Sequence, residues 1–329
     1  MLNLRDHWLW DFWIADDGTA YHLFFLKAPR VGDPDLRHWN QCIGHAVSHD
    51  LRVWEVLADA ILPSPEPAFD DYATWTGSVV RGDDGVWHMF YTGLSRADDG
   101  KVQRIGVATS PDLHSWTKRG ALAVVTSDSR WYEDVAMAGR SEAWRDPWVF
   151  RAADGDGWHM LVTAAAREGP ADDRGVIGHA RSADLITWEV QPPLSQPGSG
   201  FSQLEVPQVV VVDGAPLLLF SCLGPELSAA RHDAGERGGV WALRPNHLLG
   251  PYNVTRAVRL TDESLYSGRL VKDRAGSWRL LAFLNTDDAG AFVGKLSDPL
   301  ELPRPVGSHL LVAAGRRSTD ENELGRTRR

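Results

Sequence analysis

Cysteine is scarce in this chain: 329 residues carry two, Cys42 and Cys222, alongside four methionines. Two thiols far apart in sequence exclude a disulfide-stapled framework, and both are expected to be reduced and buried. Long apolar runs are missing too. No stretch is long enough for a bilayer-spanning helix. The residues from Met1 to Trp8 lack the cationic-then-apolar pattern of a secretory leader, so a complete chain of this kind is expected in the cytoplasm. Positive charge is in deficit, with 34 Lys and Arg against 44 Asp and Glu and a net charge of −10. That balance argues against nucleic acid or an anionic membrane as the main partner, and it leaves a neutral small molecule open. Cys or His pairs at metal-ligand spacing are absent, so no metal or other cofactor is expected.

What the chain does have is a phrase repeated three times without gaps. Ile43-Gly44-His45-Ala46-Val47-Ser48-His49-Asp50-Leu51-Arg52-Val53-Trp54 returns from Ile105 to Trp116 and again from Ile177 to Trp188. The shared form is Ile-Gly-x-Ala-x-Ser-x-Asp-Leu-x-x-Trp. A second element extends the count to five. Short apolar segments start at Tyr21, Trp87, Trp158, Pro216 and Trp278. They recur every 60–70 residues or so, and each follows an Asp/Gly turn typical of a hairpin. One unit reads as four antiparallel strands, and five such units predict an all-β, five-bladed β-propeller with blades of about 65 residues. The propeller is expected over residues 1–315, with His309 to Ala313 as the outer strand of the last blade and residues 316–329 as a disordered polar tail. His45 and His179 of the repeat are expected to pack or bond locally. A β-sandwich or β-helix fits the spacing less well.

The first strand of each blade lines the channel. Stepping back from the apolar segments gives Asp11, Ser78, Asp146, Glu205 and Ser267 at nearly the same place in the five blades. Asp11, Asp146 and Glu205 are therefore expected to meet at one end of the channel. Carboxylates crowded in a partly desolvated pocket push one another's pKa values apart, the condition that glycosidic bond cleavage requires. Trp10, Trp13, Trp75, Trp131, Trp144 and Trp148 lie outside the repeat, and sugar rings stack on such flat faces.

Four motifs, one on each of four successive blades, carry a resemblance. Trp10-Asp11-Phe12-Trp13, Trp75-Thr76-Gly77-Ser78, Arg145-Asp146-Pro147 and Glu205-Val206-Pro207 resemble the motifs of the five-bladed propeller glycosidases of families 32 and 68, which act on β-fructofuranosides. Arg-Asp-Pro is unchanged; Phe12 stands in place of Ser, Val206 in place of Cys or Arg, and Gln203 in place of another acid. The resemblance implies Asp11 as nucleophile, Glu205 as general acid/base and Asp146 as transition-state stabiliser. It also implies sugar contacts from Trp10, Trp13, Trp75, Thr76, Arg145, Gln203 and Tyr266. The implied partner is sucrose or a small fructooligosaccharide, with hydrolysis and fructosyl transfer both open. An ionised nucleophile is expected near Arg145, and a protonated acid/base in the apolar setting of Leu204, Val206 and Pro207. Two alternatives remain: an inverting glycosidase like those of family 43, and a propeller that binds a sugar without cleaving it.

Overall fold

The computed structural model describes residues 1–120, 122–138, 141–152, 155–302, 305–306 and 309–310. Five antiparallel sheets follow one another in sequence as the blades of a propeller. Their inner strands are His7–Asp16, Ala73–Arg81, Trp144–Arg151, Glu205–Val212 and Leu265–Lys272. Each pairs with a second strand that starts at or within a residue of the expected apolar segment: Tyr21–Pro29, Trp87–Leu94, Trp158–Ala165, Ala215–Cys222 and Trp278–Thr286. Neighbouring inner strands touch around the ring, and the fifth touches the first.

The repeated phrase explains its own residues. Its Ile-Gly-x-Ala half is the third strand of a blade, and a Cβ on the glycine would collide with a packed side chain. At Gly44 it would come within 2.5 Å of Phe25, and at Gly106 within 1.9 Å of Phe69. The Ser and Asp then close a turn. Asp50 Oδ1 accepts from the backbone N–H groups of Arg52 and Val53, both at 2.8 Å, while Ser48 Oγ donates to the same carboxylate at 3.0 Å. The turn holds Leu51, Leu113 and Leu185 at φ of 63°, 65° and 62°. This left-handed conformation costs a non-glycine residue about 1–2 kcal/mol. Burial of each leucine in the core offsets it.

The tryptophan that ends the phrase stitches blades together. Trp116 of blade two meets Phe24 of blade one edge-on, and Trp188 of blade three meets Phe90 of blade two in the same way. Trp54 of blade one packs against the cluster that contains Leu281 and Leu296 of blade five, at the seam that closes the ring. A tryptophan burying on the order of 200 Å² contributes about 5 kcal/mol by area.

The last blade departs from expectation. Its path runs Leu265–Lys272, Trp278–Thr286, Phe292–Leu296, and Leu300–Glu301 pairs back on its second strand. His309–Leu310 is not its outer strand; it pairs with Pro305–Val306 in a separate ladder. Leu311 to Ala313 and the tail lie outside the described residues. The outer edge of Phe292–Leu296 is met instead by the start of the chain, where Leu296 N–H donates to the Leu2 carbonyl at 3.0 Å. Both cysteines are free as expected, but Cys42 is only half-buried.

Two blades carry a paired histidine motif. His22 Nδ1 lies 3.0 Å from His45 Nε2, and His159 Nδ1 lies 3.0 Å from His179 Nε2. Burial, reinforced by the neighbouring rings, pushes His45 down to about 3 and His179 down to about 4. Both stay neutral in the fold, whereas the unfolded chain binds a proton near pH 6.5. Their stabilisation is complete above that pH and is lost as the pH falls toward the folded values. By pH 5 the loss is about 2 kcal/mol for each of these two imidazoles. Urea midpoints at about pH 7.5 and about pH 5 should differ accordingly, and His45→Gln should shrink the difference. A variant with unchanged pH sensitivity would assign the effect to other groups.

Candidate active site

Each inner strand slips register once. The slips fall between Leu9 and Phe12, Thr74 and Gly77, Arg145 and Trp148, Glu205 and Gln208, and Tyr266 and Arg269. In a regular strand successive side chains point to opposite faces; the extra residue of a bulge lets two neighbours share one face. The consecutive pairs Trp10–Asp11, Trp75–Thr76 and Arg145–Asp146 accordingly all line one cavity of about 400 Å³, together with Gln203, Glu205 and Tyr266. Asp146, Val206 and Ser267, each just past the last paired residue, take φ of 59°, 52° and 50°.

Asp11, Asp146 and Glu205 converge, but not from one equivalent position. Asp11 is the second residue of its bulge, Asp146 the first, and Glu205 the residue before it. Ser78 takes no part: its Oγ accepts from Val149 N–H at 3.0 Å and ties blade two to blade three. Ser267 does reach the site, donating to Asp11 Oδ1.

Asp11 is half-buried and accepts from two hydroxyls, Ser267 Oγ and Thr76 Oγ1, the latter at 2.7 Å. Burial raises its pKa, the two hydroxyl bonds pull it back, and the charge of Glu205 raises it further. The cation expected beside it is elsewhere. Arg145 Nη2 lies 2.5 Å from Glu205 Oε1 and donates to Gln203 Oε1 at 3.0 Å, while its Nε is 3.6 Å from Asp146 Oδ2. Asp11 instead feels Arg269, a buried guanidinium that donates to the carbonyls of Val206 and Pro207. Burial brings Arg269 down to about 10, and Asp146 and Asp11 hold it up.

Asp146 is 3% exposed and accepts from Thr163 Oγ1 at 2.7 Å and from Val206 N–H at 3.1 Å. Burial pushes it up to about 6 against the pull of Arg145, with Asp11 and Glu205 adding to the rise. Glu205 does not sit in an apolar setting. Leu204 and Val206 are buried away from it, and its carboxylate meets Arg145 and the Tyr266 hydroxyl, 2.5 Å from Oε2. Burial and that carboxylate raise Tyr266 well above its ordinary value, so the phenol keeps its proton and donates.

Trp13 is not at the site; it is fully buried and stacks on Phe24. Of the other tryptophans outside the repeat, Trp144 is also core and Trp131 is an exposed surface residue. Trp148 lies under Arg269. Several lining residues escaped the sequence reading. Arg37 and His38 come from a single 3-10 turn, Pro34–Trp39, capped by Asp33. The Asp-Pro start of that turn was its only sequence signal. His38 meets the edges of Trp10 and Trp75, and burial with Arg37 and Arg145 nearby lowers it to about 3, so its imidazole is neutral. Glu142 from the segment before Trp144–Arg151, Glu226 from the 3-10 turn Gly224–Glu226 and Asn285 from the end of the strand Trp278–Thr286 also line the cavity. Arg269 was hidden because it looks like an ordinary strand residue until the bulge turns it inward.

A five-bladed propeller whose inner strands bring three carboxylates and two tryptophans into one pocket defines a glycosidase-type scaffold. The chain matches the N-terminal domain of glycosyl hydrolases family 32 over residues 13–287, and it belongs to that family. Its family is therefore 32 and not 43. It is 31% identical over 199 residues to "Beta-fructofuranosidase, insoluble isoenzyme 2" of Oryza sativa subsp. indica, covering 56% of this chain and 30% of that protein. It is 26% identical over 233 residues to the sucrose-6-phosphate hydrolase of Bacillus subtilis (strain 168), covering 68% of this chain and 43% of that one. The chain thus spans less than half the length of these relatives. Among solved structures, the inulosucrase from Halalkalicoccus jeotgali bound to kestose aligns with a TM-score of 0.71 at 23% identity, over 89% of this chain and 81% of that one. The Bombyx mori GH32 beta-fructofuranosidase BmSUC1 aligns with a TM-score of 0.68 at 19% identity, over 93% and 62%. At these identities the structural likeness shows the fold.

The Ser267 and Thr76 bonds favour the ionised form of Asp11. Removing one should raise its pKa. Ser267→Ala is expected to move the acid limb of the pH profile of kcat/KM upward by up to about one unit. An unmoved limb would show that Asp11 does not set it.

Proposed function

We propose that this protein is a retaining glycosidase acting on β-fructofuranosides such as sucrose or small fructooligosaccharides, by hydrolysis or by fructosyl transfer. The observation that carries the reading is the convergence of Asp11, Asp146 and Glu205 in one cavity of a family 32 chain. The names of its relatives, fructofuranosidases and sucrose-6-phosphate hydrolases, supply the substrate class.

In this reading Asp11 attacks the anomeric carbon and forms a covalent fructosyl ester. Glu205 gives a proton to the departing glycosidic oxygen, then takes one from the water or sugar hydroxyl that resolves the ester. Asp146 accepts from ring hydroxyls, and those bonds strengthen as the ring gains oxocarbenium character. Arg145 lies between Asp146 and Glu205 and couples the two tasks. A sugar hydroxyl that draws the guanidinium off Glu205 favours the protonated acid that the first step needs. Trp10 and Trp75 offer flat faces to the sugar, and the neutral His38 can both donate and accept.

Purified protein should be assayed on sucrose, inulobiose, levanbiose and nitrophenyl furanosides. Asp11→Asn and Glu205→Gln should each lower kcat by at least about 1000-fold, within the range for a lost nucleophile or acid/base. Glu205→Gln should lose less on a nitrophenyl leaving group, which needs little protonation. NMR of the first-formed product should show the β-anomer; an inverted product would remove the covalent intermediate. Unchanged turnover in Glu205→Gln would remove the acid/base role from Glu205, and no turnover of any fructoside by the parent would leave a sugar-binding propeller.

A further inference from the structure

The wall of the cavity has a charge bias that the reaction does not use. Beyond the three acids already described, Glu142 and Glu226 also line it. Carboxylates outnumber guanidiniums five to two among the described lining residues, with no lysine. Arg145 is engaged, and Arg37 is engaged through Nη1 while its buried Nε has no hydrogen-bond partner among the described residues. Arg145 is held by Glu205, Asp146 and Gln203. Arg37 donates to Asp35 Oδ1 at 3.1 Å and to the Pro34 carbonyl at 3.0 Å, with its guanidinium 4.0 Å from the centre of the Phe292 ring. The charge of Glu226 is felt by Arg145 and Tyr266.

The bias lies toward the mouth. The cavity is lined from the N-terminal halves of the inner strands, and Glu142 precedes the strand Trp144–Arg151 whereas Asp11 lies within His7–Asp16. A fructosyl group on Asp11 occupies the floor, so the sugar that departs must leave past the rim. Glu142 is 3% exposed and is fixed there. Its Oε1 accepts from Gln103 N–H at 3.1 Å, and Gln103 Oε1 in turn accepts from Trp144 N–H at 2.9 Å. Ser127 Oγ donates to its Oε2 at 3.4 Å, and burial raises its carboxyl to about 7, so it carries its full charge only above neutral pH.

We infer that the site selects saccharides whose departing sugar is uncharged and discriminates against those phosphorylated on that sugar, with Glu142 as a specificity-determining residue. The inference rests on the fructosidase reading for the orientation of the substrate. A phosphate dianion at the rim meets an excess of carboxylates, Glu142 among them once it ionises above about pH 7, while Arg145 is committed to Glu205 and Gln203 and Arg37 Nη1 to Asp35 and Pro34; such juxtaposition is strongly disfavoured. Of the two relatives' activities, cleavage of sucrose fits this wall and cleavage of sucrose 6-phosphate does not.

The test compares sucrose with sucrose 6-phosphate in two ways. In kinetics at about pH 8.5, where Glu142 is ionised, the parent should show kcat/KM at least about 100-fold higher for sucrose, and Glu142→Gln should narrow that ratio by about 5- to 10-fold. A role confined to folding would lower both rates together and leave the ratio alone. In calorimetry, Asp11→Asn protein, which cannot turn over, should bind sucrose and fail to bind the phosphorylated sugar at the same concentration. Equal or better use of sucrose 6-phosphate by the parent overturns the inference and leaves the fructosidase reading intact. A ratio unmoved in Glu142→Gln overturns the role of that residue. Selective binding of sucrose without any turnover by the parent removes the enzymatic reading and, with no sugar departing, overturns the inference with it; binding of neither sugar overturns it as well.

Discussion

The site depends on a backbone defect repeated five times. A regular inner strand would send Arg145 and Asp146, or Trp10 and Asp11, to opposite faces, and one of each pair would be lost to the packing between blades. The bulge admits one extra residue and turns both into the channel. Three of the five bulges hold a non-glycine residue at positive φ, at Asp146, Val206 and Ser267. Strain of this kind costs about 1–3 kcal/mol per residue and persists only where the surroundings over-determine it. Here they do. Asp146 is pinned by Thr163 and by Val206 N–H, Val206 is buried, and Ser267 is bonded to Asp11.

With the carboxylates gathered, electrostatics gives them different characters. Burial raises both Asp11 and Asp146; the charge of Glu205 raises both further, and that of Asp11 adds to Asp146. What separates them is the company each keeps. Asp11 has two hydroxyl donors and the distant charge of Arg269; Asp146 has a threonine, a backbone N–H and the edge of Arg145. Glu205 shares Arg145 and holds the phenol of Tyr266. One guanidinium thus touches two acids from two blades, so replacing it by lysine would lose the fork that reaches both. The same compactness leaves the outer wall negative, because the nearby positive charge is drawn inward to the reacting acids.

The architecture was legible because it is written in repeats. Gly44 and Gly106 mark third strands that pack too closely for a Cβ, Leu51 and Leu113 mark a left-handed turn, and Trp116 and Trp188 mark the seams between blades. The last blade was misread because its closing partner, Leu2, comes from the other end of the chain, where no local pattern announces it. Trp13 was misassigned because alternation resumes past the bulge and returns it to the core. The surroundings of Glu205 were misjudged for a related reason. Leu204 and Val206 are its neighbours in sequence, but in space its neighbours are Arg145 and Tyr266 from other blades.

The amino-acid sequence by itself determined the number of blades, their order, and the acids that could meet, since each follows from periodicity and short motifs along one strand. Only the tertiary structure decided which cation serves which acid, that Arg269 stands beneath Asp11 and Asp146, and that Glu142, His38 and Arg37 close the wall. Those contacts join residues from different blades, and side-chain partners brought together by ring closure leave no mark in local sequence.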